Sequence, residues 1–137
     1  MTEYLERAYE NARREAIFDN RAEIIPEVML EWLFLKSGLQ WVVIPYENRE
    51  KIPLMVAAEK RRTFTPRADG ADIVNSKALE AIINRLDKYE AQGEPAGIAE
   101  FLEGVLAESE INSLGYQLIS YFNREYGVIA FARRLKK

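Results

Sequence analysis

From Thr2 to Asp19, apolar and small residues recur at Tyr4, Leu5, Ala8, Tyr9, Ala12 and Ala16, with charged residues between them. That is one stripe of a 3.6-residue repeat and predicts a helix, with Thr2 placed to cap it. The small side chains of the stripe would let a neighbouring element approach closely. The run "PEVMLEWLFLK" (26–36) is almost continuously apolar and admits two readings. Pro26 at a first helical position and Gly38 as a stop favour a helix. A buried strand would carry the same residues. After Gly38, "LQWVVIPY" and "IPLMVAA" are rich in β-branched and aromatic residues and flank the polar turn Asn48–Arg49. They predict an antiparallel hairpin, extending through "RRTF", with Pro45 and Pro53 at strand ends where no ladder bond is lost.

Beyond the turn-rich loop "FTPRADGAD", the helical period returns. Leu79, Ile82, Ile83 and Leu86 form one stripe, opened by Asn75 or Ser76 and stopped by Gly93. Pro95 opens the next helix, whose stripe is Ile98, Phe101, Leu102, Val105 and Leu106. Ser109 is placed to cap a third, with Ile111, Leu114, Leu118 and Phe122 inward. In the last segment Val128, Phe131, Ala132 and Leu135 share a helical face with Asn123 as cap, while "YGVIAF" (126–131) also suits a strand; the helix is favoured. The fold expected is α+β: N-terminal helices, a small antiparallel β-hairpin or meander over about residues 39–64, and a helical C-terminal half. Residues 1–137 read as a single compact domain, since no linker or low-complexity stretch interrupts them.

The polar elbow at Asn123–Glu125 lies inside a stretch that resembles one tetratricopeptide repeat. Ile111, Leu114, Gly115, Leu118, Gly127 and Phe131 stand at the offsets where that family has large, Leu, Gly, large, small and Phe residues. The resemblance covers about one period of roughly 34 residues. It lacks the terminal proline, and one period upstream Glu80 and Ala81 replace the Leu and Gly. A packed helical hairpin is therefore expected, not a solenoid.

Composition narrows the chemistry. The 137 residues contain neither cysteine nor histidine. Disulfides, thiolate nucleophiles, Cys/His zinc sites and imidazole relays are excluded. An enzyme would have to rely on carboxylates, lysine, tyrosine or a bound cofactor, so a non-enzymatic role is favoured. Hydrophobic residues at 48% and charged residues at 30% describe an ordinary folded domain. No apolar run reaches the roughly 18–20 residues of a membrane span. The amphipathic, acidic start differs from a secretory signal, and a cytoplasmic location without membrane association is expected.

The net charge of −3 is distributed in blocks. "KRRTFTPR" (60–67) and the tail 133–137 are basic, whereas Ala68 to Glu110 is acidic. Lys60, Arg61, Arg62 and Arg67 around Phe64, with Arg133 and Arg134, are the candidate binding residues, because cations beside an aromatic ring can hold a phosphate or stack a base. On a strand, Arg61 would point away from Arg62 and Phe64, and the same charges would also protect an exposed edge. The elbow with its basic tail, Lys136 included, also fits a helix-turn-helix outline. Asp69 and Asp72 suit turn and capping roles; their spacing is not that of a calcium loop. Glu80, Glu90, Glu94, Glu100, Glu103, Glu108 and Glu110 lie opposite the apolar stripes and are expected in solvent. No catalytic, cofactor or metal residues are assigned.

Three functions follow in order. The first is a partner-binding protein (adaptor, chaperone or immunity-type inhibitor) that docks a basic protein through its acidic helices. The second is nucleic-acid binding through segments 60–67 and 133–137. The third is a small enzyme with carboxylate or lysine chemistry in a concave site. Trp32, Phe34, Trp41 and Tyr46 exceed what a short sheet and one helix layer would cover, so a homo-oligomer is also expected.

Overall fold

The computed structural model describes residues 1–135 and 137. Its elements in order are α1 (Glu3–Phe18), β1 (Glu23–Ile24), α2 (Pro26–Glu31), a π turn continuing α2 (Trp32–Lys36), α3 (Tyr46–Arg49), α4 (Ile52–Arg62), β2 (Val74–Asn75), α5 (Lys77–Glu90), α6 (Ile98–Glu108), α7 (Leu114–Tyr126) and α8 (Val128–Leu135). Helix dominates, and the sheet is a two-stranded parallel pair, Glu23 opposite Val74 and Ile24 opposite Asn75. No helix among the described residues is long and apolar enough to cross a membrane.

The buried stripe of α1 is Leu5, Ala8, Ala12 and Ala16, and it lies against α2. Three alanines remove the bulk that would hold two helices apart. α2 is buried from Pro26 to Leu30, on every side, because α1, α4 and α7 surround it. Such a helix can be apolar throughout, which is why its sequence also resembled a strand. α5 and α6 follow their periodicities: Leu79, Ile82 and Leu86 of α5 face Ile98, Phe101, Leu102 and Val105 of α6 in one connected core. α7 does not follow the stripe expected for it, since Ile111 is 73% exposed ahead of the helix and Gly115, Ile119 and Phe122 are the residues turned inward.

The antiparallel hairpin expected over about 39–64 is not formed. Residues 39–45 are irregular, and 52–62 is helix. In the irregular segment the apolar residues act as pins: Trp41 and Ile44 are fully buried. The Trp41 Nε1–H donates to the Leu33 carbonyl at 2.9 Å, and its ring lies 4.5 Å from Phe34 and 5.6 Å from Phe131. Pro53 sits in the first turn of α4, where its missing N–H costs nothing. Ile52, Val56 and Glu59 then face inward at i, i+4 and i+7. The glutamate in that stripe hides the helical period from a hydrophobicity count.

Cap positions shift similarly. The Ser76 hydroxyl accepts from the Leu79 N–H at 3.2 Å and opens α5 as expected. Ser109 instead ends α6, and Ser113 caps α7 by accepting from the Tyr116 N–H at 3.2 Å. Thr2 occupies the α1 cap position without making a side-chain cap bond. α7 ends at Gly127, whose left-handed φ of 63° turns the chain into α8. Asn123 still caps α8, reaching forward from within α7 to accept from the Ile129 N–H at 3.2 Å. The segment 126–132 is thus the helical elbow, not a strand. Of the aromatic residues considered for self-association, Phe34 and Trp41 are inside, Trp32 is half-buried and Tyr46 is 66% exposed.

Candidate functional site

The basic residues singled out above do not form one surface. Lys60 pairs with Glu15 at 2.7 Å and Asp19 at 2.9 Å. Arg62 is bound by Glu59, and Arg133 by Glu100 and Glu103. Arg134 lies over the Phe131 ring at 5.9 Å. Phe64, half exposed, is covered on one side by Arg21, whose guanidinium is itself buried and donates to the Lys60 carbonyl and Thr63 Oγ1. Arg61 and Phe64 line a shallow cavity with Asp19, Arg21 and Lys60, whereas Arg133 lines another, with Thr2, Glu94 and Glu100. Arg67 donates its backbone N–H to the Asn20 carbonyl and ties the following loop to the end of α1. Lys136 lies outside the described residues. On a helix, Lys60, Arg61 and Arg62 fan out by about 100° each, so the strand alternation anticipated for them does not arise.

Carboxylates converge more tightly than the cations do. Glu27, 3% exposed, comes from the first turn of α2; Glu59, 1% exposed, comes from the inward stripe of α4. Both reach the start of α7. The Leu114 N–H donates to Glu59 Oε2 and the Gly115 N–H to Glu27 Oε2, each at 3.1 Å. With Ser113 serving Tyr116, the first three amides of α7 all find oxygen acceptors. The positive end of the helix dipole also favours negative charge there. Gly115 is required by this approach: a Cβ at that position would lie 3.0 Å from Glu27 Cδ. Burial, with the neighbouring Glu59 charge adding to it, pushes the Glu27 carboxyl up to about 7.

These two carboxylates form the inner wall of a cavity of about 460 Å³ that opens between α2, α4, α5 and the α6–α7 connection. Glu23, Glu108 and Glu110 line it further out, and Arg62 and Lys77 are its cations. Five carboxylates thus face two cations, and Glu108 and Glu110 are exposed at the rim. No group of three or more carboxylates among the described residues is arranged to hold a metal ion.

Compared with known proteins, the chain matches no family model and no curated protein. Sequence reasoning had placed Glu108 and Glu110 in solvent but missed Glu27 and Glu59. One signal was available for Glu59, which continues the Ile52–Val56 stripe. For Glu27 none was, since a glutamate after Pro26 is what any exposed helix start would carry.

Proposed function

We propose that this protein binds a basic protein partner and that the acidic cavity receives a lysine or arginine side chain of that partner. The observation that carries this reading is the convergence of Glu23, Glu27, Glu59, Glu108 and Glu110 on one concave site where, among the described residues, Arg62 and Lys77 are the counter-charges. A cation entering there would meet excess negative charge in partly desolvated surroundings, where attraction is stronger than in bulk water. The exposed rim would steer it and the buried pair would fix it. An adaptor, chaperone or immunity-type inhibitor role fits such a site.

The test is affinity capture from the native host at low and moderate salt, comparing wild type with the double variant Glu108→Lys/Glu110→Lys. Wild type should retain a specific basic protein, and charge reversal should weaken retention by at least about tenfold, with the loss mainly in association rate. Absence of any specific partner of the wild type in both salts would sink the proposal.

The carboxylate-enzyme reading is favoured by one observation, the Glu27 carboxyl near neutrality in a cavity, which suits general acid–base work. Against it, Glu27 and Glu59 are both engaged by amides of α7 and Arg62. Glu27→Gln separates the two. It keeps the shape and an acceptor and leaves Glu59 and the rim charges in place, so on the first reading partner capture would weaken without disappearing. On the second, any turnover with a pH dependence centred near 7 would vanish.

A further inference from the structure

The two inner carboxylates of the acidic cavity differ in one respect. Glu59 is held by Arg62, which donates to it from Nε, at 3.2 Å, and from a terminal nitrogen. None of the ion pairs among the described residues involves Glu27. What reaches it from α7 is the Gly115 N–H, a neutral donor. A carboxyl group only 3% exposed thus lines the cavity without a cation of its own.

The surrounding charges do not supply one. From α4 come Glu59, which disfavours a second negative charge, and Arg62, already committed to Glu59. Arg21 lies within electrostatic range, but its guanidinium is engaged by the Lys60 carbonyl and Thr63 Oγ1. Glu23, Glu108 and Glu110 add negative charge to the lining, and Lys77 at the start of α5 is exposed. Among the described residues, α1, α7 and the π turn contribute no charged group to it. Burial and the Glu59 charge therefore favour a proton on Glu27, whose carboxyl is pushed up to about 7. An ammonium or guanidinium in the cavity reverses that preference, because an opposite charge within about 4–6 Å favours the ionised form. With no histidine or cysteine in the chain, the side chains that usually change charge near neutral pH are missing. Glu27 can take that part.

We propose that uptake of a basic side chain in this cavity expels the proton of Glu27 to solvent, so that the partner is held more tightly at pH 8 than at pH 6. This regulation rests on the reading of the cavity as a receptor for lysine or arginine. A neutral acid gives way to a neutral ion pair, and one proton leaves for each cation bound. Affinity then rises with pH through about 7 and levels off above it.

The test is NMR and calorimetric titration of the full chain with N-acetylarginine amide, which keeps its charge throughout, and with its neutral isostere N-acetylcitrulline amide. At constant ionic strength the arginine probe should shift the amide signals of Leu114 and Gly115. It should bind severalfold, up to about tenfold, more tightly at pH 8 than at pH 6. Saturation with it should lower the midpoint of the Glu27 carboxyl titration, followed by carbon-13 shift. The citrulline probe should bind more weakly and show neither effect. Glu27→Gln should bind the arginine probe equally at both pH values, and more weakly than wild type at pH 8. If that variant does not fold, the wild-type carboxyl titration with and without the probe decides alone. Equal arginine affinity at the two pH values, an unmoved Glu27 midpoint, or a pH dependence that persists in folded Glu27→Gln would each overturn the coupling and leave the receptor standing. No binding of the arginine probe at either pH, or equal binding of its neutral isostere, would remove the receptor reading and the coupling with it.

Discussion

With Glu59 alongside and water nearly excluded, ionising Glu27 in the fold is harder than ionising it in the unfolded chain, where the ordinary value is 4.5. The native state therefore holds a proton that the unfolded state has released over the interval from about 4.5 to about 7. Stability from this group is present in full below the lower value and is lost as pH rises through the upper one. The separation corresponds to something on the order of 3 kcal/mol. Glu27→Gln, which cannot ionise, should abolish this slope. Urea denaturation at pH 4.5, 6 and 8 should find wild type and variant similar at the lowest pH and the variant more stable at the highest. A constant difference between the two across the series would show that the Glu27 carboxyl titrates alike in the folded and unfolded chain, and would overturn the raised value.

At the scale of elements, α7 is fastened to α2 and α4 at its first turn, and Gly115 is the residue that makes room for the fastening. Replacing glycine by alanine in a helix ordinarily gains up to about 1 kcal/mol. Here the new Cβ would press on a carboxylate that is buried and held by a hydrogen bond, so it has nowhere to move. Overpacking of that kind costs about 1–3 kcal/mol and should win. Gly115→Ala should lower stability in the wild type but raise it, or leave it unchanged, in a Glu27→Ser background; a double-mutant cycle by urea denaturation reads the difference. The same elements explain what could be read in advance. α1, α5, α6 and α8 carry apolar stripes that pattern alone places; the stripe expected for α7 began at Ile111, which lies exposed ahead of the helix, and α7 turns Gly115, Ile119 and Phe122 inward instead. α4 breaks its stripe with Glu59, and its proline sits where a strand end and a helix start look alike. The segment around Trp41 owes its conformation to the Leu33 carbonyl and the Phe34 and Phe131 rings, partners up to 90 residues distant in sequence. The pairing of Glu23–Ile24 with Val74–Asn75 is similarly remote, and two-residue strands leave no periodicity to detect. Of the candidate site, the outer carboxylates were visible as a charge block and the inner pair was not, because burial of Glu27 and Glu59 is decided by where α7 begins.

Across the whole molecule, the distribution of paired and unpaired charge separates the two macromolecular readings. Nucleic-acid binding draws its affinity from cations that are free to replace condensed counterions on phosphates. Of the seven cationic and aromatic residues proposed for that role, Lys60, Arg62 and Arg133 are already neutralised by Glu15, Asp19, Glu59, Glu100 and Glu103. To use them, the protein would have to break ion pairs, one of which would strand the buried Glu59 carboxylate that caps α7. Arg61 and Arg134 remain exposed, but they belong to different elements and line no common cavity. The three remaining cations, Arg61, Arg67 and Arg134, are scattered over different segments, and on a chain of net charge −3 they give a shallow salt dependence and little affinity. Filter binding or fluorescence anisotropy with duplex DNA and single-stranded RNA should detect no saturable complex at roughly physiological ionic strength, about 0.15 M. Neutralising Arg61 and Arg134 together should change nothing measurable even at low salt. A steep loss of affinity with salt that also disappears in that double variant would show that the internal pairs open to meet phosphate, and it would move the functional surface from the acidic cavity to the opposite charge.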